Sequence, residues 1–198
     1  MRRVCIVGAA GPSNRWANDL EEGVELWAMN LCHRFIQPGK ATRWFQMHPR
    51  DWNKNNGNPV GHFGRPMDHE EFLQSCGIPV YMQEADSQIP TSVRYPLEEI
   101  TKKWRPYFTS TVPYMIALAL HEGVDEIGLL GIYLNTSMEY QAHRPCVEYW
   151  LGVADGMGVQ IWMPEDTSIA EAPLYAYTPQ ERTDPADGLT LKTVEVVG

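Results

Sequence analysis

The sequence contains four cysteines, Cys5, Cys32, Cys76 and Cys146, and no two of them form a CxxC pair. That spacing excludes a zinc ribbon or a dithiol centre built on neighbouring cysteines, and reduced, structural thiols are the expectation. Cys32-His33 has no second pair at metal-site spacing. Basic residues are also scarce: 16 Lys and Arg stand against 25 Asp and Glu, a formal net charge of -9. A broad nucleic-acid surface would need a basic stripe, so that class of partner is excluded. A local basic pocket built on Arg43, Arg50 or Arg144 would suit a small anion better than a polymer. No apolar run approaches the roughly 20 residues of a membrane span. No hydrophobic leader precedes the first apolar run, so a cytoplasmic location is the expectation.

What is present is an alternation of short apolar runs and amphipathic stretches. RVCIVG (3–8), VELWAM (24–29), TRWFQM (42–47), IPVYM (78–82), DEIGLLG (125–131) and VQIWM (159–163) read as strands. Helices are predicted over 14–20, 68–76, 97–104, 111–121 and 145–157, with Thr109 or Ser110 capping the fourth and Pro113 confined to its first turn. Residues 50–66 read as a long loop and 83–95 as irregular. The pattern predicts an α/β, Rossmann-like, mostly parallel sheet with helices on both faces. It spans one domain, residues 1–163. The proline-bearing tail 164–198 is expected to wrap the surface or to contact a second copy of the chain, and its weakly alternating end, from 189, to add an edge strand or reach a partner.

In such sheets ligands bind outside the carboxyl ends of the strands. Three walls are legible there. The first is Gly8-Ala9-Ala10-Gly11-Pro12-Ser13, which follows strand one and precedes a helix. It is neither GxGxxG nor a Walker A loop. Its glycines fit a phosphate loop or a turn that needs positive φ. A helix end contributes only about 0.3–1 kcal/mol toward an exposed anion. Micromolar binding takes about 8 kcal/mol, so further walls are required. The second is Thr109-Ser110, and the third is the segment carrying Tyr133, Tyr140, Gln141, His143 and Arg144. Asn30 and His48 close strands two and three.

The order G-x-x-G-P-S, Asn30, H-P-x-x-W, then YFTSTVPYMIALAL and EIGLLGI, resembles the bacterial CMP-sialic-acid-dependent sialyltransferases. Archaeal hydroxymethylpterin diphosphokinase-like and motility-accessory proteins are more distantly similar. Small proteins of bacteriophage genomes are similar in length and in E-Y-Q-x-x-R-P-x-x-E-Y-W (139–150). The resemblance implies a nucleotide or nucleotide-sugar as ligand, no permanently bound cofactor and no metal. Gly8, Gly11 and Ser13 would line the phosphates, and Asn30 would face the nucleotide or donor sugar. Thr109 and Ser110 would lie at the nucleotide, and His48 takes the place of the family's asparagine after strand three. Tyr140 would stabilise the leaving phosphate, and His143 would be the general base by loop context.

Two departures are visible. Gly131-Ile132-Tyr133 stands where the family has G-I-D, and the segment before the next helix is shorter than the family's lid. The expected function is therefore a nucleotide-binding, glycosyltransferase-like protein, with a non-catalytic nucleotide-sequestering module as the alternative. Blander roles stand beside the sharp ones. His48 before Pro49 also fits a strand cap, Arg144 an i,i+4 pair with Glu148, and Trp44, Trp52, Trp150 and Trp162 the core.

Overall fold

The computed structural model describes residues 1–49, 66–136, 139–165, 167, 169, 170, 177, 182, 183, 190 and 191. The expectations for the loop 50–65, Arg50, Trp52, the Tyr140 side chain and most of the tail lie outside them. Seven strands form one sheet: β1 (Arg3–Val7), β2 (Val24–Met29), β3 (Arg43–Phe45), β4 (Val80–Met82), β5 (Ser92–Arg94), β6 (Glu126–Leu130) and β7 (Gln160–Trp162). Their order is β5-β4-β3-β2-β1-β6-β7, and every pair is parallel. Four α-helices follow in chain order: α1 (Pro66–Ser75), α2 (Leu97–Lys103), α3 (Thr111–His121) and α4 (Arg144–Gly156). No helix among the described residues is long and apolar enough to cross a membrane.

Local chemistry accounts for most of these elements. Val4, Cys5, Ile6 and Val7 are all fully buried, as expected of a central parallel strand covered on both faces. Trp44 and Trp150 lie in the core, and all four cysteines are free thiols. Nearly every residue of α3 is buried, and its Pro113 occupies the first turn, where no intrahelical bond is lost. β5 was not expected from sequence because Ser-Val-Arg has no apolar run, lies at the sheet edge and leaves Val93 and Arg94 exposed. The predicted helix 14–20 is instead a 3₁₀ helix over Pro12–Asp19. Two asparagines compete with α-helical bonding there: Asn14 Nδ2 donates to Ala9 O at 3.3 Å, and Asn18 Nδ2 to Phe35 O at 2.9 Å. Near the chain end, Thr190–Leu191 pairs with Arg182–Thr183 in a separate antiparallel ladder.

The amino ends of the strands are tied by ions. Arg2 Nε meets Glu25 Oε1 at 2.6 Å and Arg2 Nη2 meets Glu122 Oε2 at 2.7 Å, while Arg43 Nη1 meets Glu122 Oε1 at 2.6 Å. The Arg43 guanidinium also lies 4.5 Å from the Trp27 ring centroid. This corrects the expectation of an anion pocket at Arg43, which opens β3 and is neutralised at the end opposite the carboxyl rim. Glu122→Ala would leave two half-buried guanidiniums short of a partner. We expect a loss of about 1–3 kcal/mol in urea denaturation. Glu21→Ala, which breaks an exposed pair with Arg3, should cost less than about 1 kcal/mol. Equal losses would show that the network adds nothing.

Candidate functional site at the carboxyl ends of the strands

Because all seven strands are parallel, their carboxyl ends form one rim. The chain steps outward from β1 to β5 and then returns to place β6 on the other side of β1. The switch point is therefore the crevice between β1 and β6. Here the loops after the two strands touch directly. Gly8 N donates to Leu130 O at 2.8 Å, and Ala10 N to Gly131 O at 3.0 Å. Gly131 N donates to Ser13 Oγ at 3.0 Å, and the Tyr133 hydroxyl lies 3.0 Å from the same oxygen. Ser13 is fully buried.

The glycines make this contact possible. A Cβ on Gly8 would lie 2.5 Å from Gly131 O and 2.8 Å from Ile132 Cγ1. Gly11 has φ 66°, and a Cβ there would fall inside the Tyr133 ring. So the structure brings Gly8, Gly11, Ser13 and Tyr133 together, as loop packed on loop.

Asn30 follows β2 at φ 48°, a left-handed conformation that Asn tolerates better than most residues. Its Oδ1 is buried without a hydrogen-bond partner. Ser110 takes the cap position of α3, but its side chain makes no capping bond, and its Oγ is likewise buried without a partner. Thr109, the exposed neighbour, turns its hydroxyl to the Cys146 thiol. α3 packs against β1 and ends where β6 begins, so its amino terminus lies on the same rim as Asn30.

Beyond β3 the rim carries imidazoles. The His33 and His69 rings stack at 5.2 Å, and His33 stacks on Phe72 at 4.7 Å. His69 Nε2 lies 2.9 Å from Gln46 Oε1. Burial, reinforced by the neighbouring His33, Arg34 and His48, pushes the His69 pKa down to about 4. Burial also lowers His48. His33, Arg34 and His69 were missed as site residues from sequence. The available signal was that His33-Arg34 directly follow Asn30 and Cys32 beyond β2. Among the described residues no group of three His, Cys, Asp or Glu is arranged to hold a metal ion.

The last wall is a π-helical turn, Glu139–His143, that runs straight into α4. Gln141 is exposed and His143 half-buried on it. Arg144 Nε meets Glu148 Oε1 at 2.7 Å, the i,i+4 pair expected from sequence, and Ala170 N donates to the same carboxylate oxygen at 3.0 Å. Residues beyond β7 thus fold back toward this wall: Thr167 Oγ1 reaches Ile132 O at 3.5 Å, and Ile169 is fully buried.

A cavity of about 470 Å³ lies away from this rim, on one sheet face beneath the 3₁₀ helix. Of the rim residues named above only Leu130 lines it, so it is a separate feature of the sheet face.

No family model matches the chain, and no curated protein matches it. Solved structures do. The sialyltransferase CstII from Campylobacter jejuni, in complex with cytidine-5'-monophosphate, superposes with a TM-score of 0.52 at 12% identity, covering 86% of this chain and 83% of that one. CST-II with a trisaccharide acceptor and CMP gives 0.52 at 11% identity over 85% and 83%. An alpha-2,3-sialyltransferase from Campylobacter jejuni in apo form gives 0.53 at 13% identity over 86% and 78%. At such identities the shared property is the fold: this chain is built on a sialyltransferase-like, Rossmann-like α/β sheet.

Proposed function

We propose that the chain binds a nucleotide at the carboxyl rim and transfers a sugar from a nucleotide-sugar donor. The observation that carries this reading is the pair of orphaned oxygens, Asn30 Oδ1 and Ser110 Oγ, held buried on the ligand edge of the sheet. An unsatisfied buried polar atom costs about 1–3 kcal/mol, a cost that a ligand hydrogen bond removes. The likeness to sialyltransferases solved with CMP supports a cytidine nucleotide as the first one to test.

In this reading the phosphates lie over Gly8, Gly11 and Ser13, with Asn30, Thr109, Ser110 and Tyr133 around the nucleotide. Gln141 and Arg144 contribute from the wall before α4. The acceptor hydroxyl attacks the anomeric carbon, the bond from that carbon to the phosphate oxygen breaks, and the nucleotide leaves with both bonding electrons. His143 or His48 takes the hydroxyl proton, and Tyr140 donates a hydrogen bond to the departing phosphate. His48 suits a base because burial favours its neutral imidazole.

One observation favours a second reading, a nucleotide-binding module without turnover. Tyr133 stands where the resemblance expects an acidic residue. A thermal-shift series with CMP, UMP, GMP and ADP-ribose tests both. Ligand at 100 times its dissociation constant should add about 2.7 kcal/mol of stability. Asn30→Ala and Ser110→Ala should each weaken binding about tenfold. No response to any nucleotide sinks both readings. Binding without release of CMP from a CMP-sugar, unchanged by His143→Ala and His48→Ala, leaves the second.

A further inference from the structure

The connection from β1 to β2 covers little of the sheet. A 3₁₀ helix of eight residues over Pro12–Asp19 is slender; it packs on β6 and β1, and β7 beside it is only partly covered. Strand register places Arg3 and Glu126 in one row, and Gly128 in another with Trp162. The cavity of about 470 Å³ lies there, within the size range of small-molecule sites.

Two indoles wall it. Trp16 projects from the 3₁₀ helix and is 54% exposed, a large apolar side chain that core packing does not explain. Trp162 lies flat across Gly128, where any Cβ would overlap the ring, and its Nε1–H donates to Glu126 Oε1 at 2.9 Å. Leu20, Val24 and Leu130 complete the apolar lining. The charged groups are unbalanced: Asp19, Glu21 and Glu126 face the cavity against Arg3, which is bonded to Glu21 Oε2 at 2.9 Å and to Glu22 O at 3.2 Å. Trp162 packs against the core as expected, but the structure leaves it only half-buried.

We propose that this cavity binds a small organic cation, an amine or guanidinium carried on a flat or aliphatic body. Two aromatic faces attract a cation by about 0.5–2 kcal/mol each, according to how far it is desolvated. The carboxylates supply the complementary charge, and the leucines take the apolar body. An anionic nucleotide is the wrong sign for this pocket, which shares Leu130 with the rim but none of the other rim residues named above.

The probe is phenethylamine, with 2-phenylethanol as its neutral counterpart, followed by calorimetry on the full chain. The amine should bind about tenfold more tightly than the alcohol. Trp16→Ala and Asp19→Asn, both at exposed positions, should each weaken the amine several-fold, and Asp19→Asn should leave the alcohol unchanged. Saturating CMP should not displace the amine. Equal affinity for the two probes, indifference to Trp16→Ala, displacement by CMP, or no amine binding at about 10 mM would each overturn the proposal.

Discussion

Gly131→Ala is expected to lower stability by about 2–5 kcal/mol, a large share of the 5–15 kcal/mol that holds a domain folded. Two costs add. The residue sits at φ 63°, and an alanine there is disfavoured by about 1–2 kcal/mol. Its Cβ would also lie 2.5 Å from Gly8 O, 2.7 Å from Asn14 Cβ and 2.9 Å from Ala10 O. Two of those atoms are backbone carbonyls of a loop fixed by the Gly8–Leu130 and Ala10–Gly131 bonds, so they move only by breaking the switch point. Overpacking of that kind adds about 1–3 kcal/mol. In a chain of this size, the melting temperature should fall on the order of 10 °C. Gly158→Ala is the matched control, at φ 77° with nothing within 4 Å of the added carbon. A Gly131 variant no worse than the Gly158 variant would refute the account of the two loops. If the rim holds a nucleotide, the Gly131 variant should also lose its thermal response to CMP.

Acid should act through His69 before it acts through the carboxylates. Burial lowers the His69 pKa from 6.5 in the unfolded chain to about 4 in the folded one. The folded state therefore disfavours the proton. The stability associated with the neutral ring is fully present above about pH 6.5 and is lost as pH falls toward 4. A shift of that size corresponds to about 3 kcal/mol. His48, lowered in the same direction by burial, acts with the same sign. Glu25, held down chiefly by its hydrogen bond from Arg2, begins to contribute only below its ordinary value of 4.5. Burial opposes the charge of Glu122, but its bonds from Arg43 and Arg2 prevail, and it too acts only below 4.5. The two windows are thus largely separate. Urea midpoints at pH 7.5 and pH 5 should lie closer together for His69→Gln than for the unsubstituted chain, with His48 supplying what difference remains. Identical pH dependence in both would remove His69 as the cause.

The sequence was a good guide to the sheet and a poor one to its rim. β2 and α3 fall on their predicted residues because long apolar runs with clear ends leave little choice. β5 had no such run. The glycines after β1 were visible, but the partner that explains them, Tyr133, lies more than a hundred positions away. Serine at position 110 was expected to cap α3; it occupies the cap without bonding there, because tertiary burial sets its side chain. His69 was hidden for another reason: its proximity to His33 depends on how α1 docks beside the segment after β2.

The bond from Gly131 N to Ser13 Oγ spans 118 positions. Closing a loop of that length costs roughly 4 kcal/mol of chain entropy, apart from a constant, before any contact repays it. The strands from β1 to β5 pair between near neighbours in sequence, whereas β6 must find β1 across most of the chain. That pairing dominates the contact order and should set the folding rate. During synthesis, β1 leaves the ribosome with one side unpaired and waits for β6. The carboxyl rim is then among the last features to exist, and a chain interrupted before residue 126 would expose an apolar central strand along an open edge.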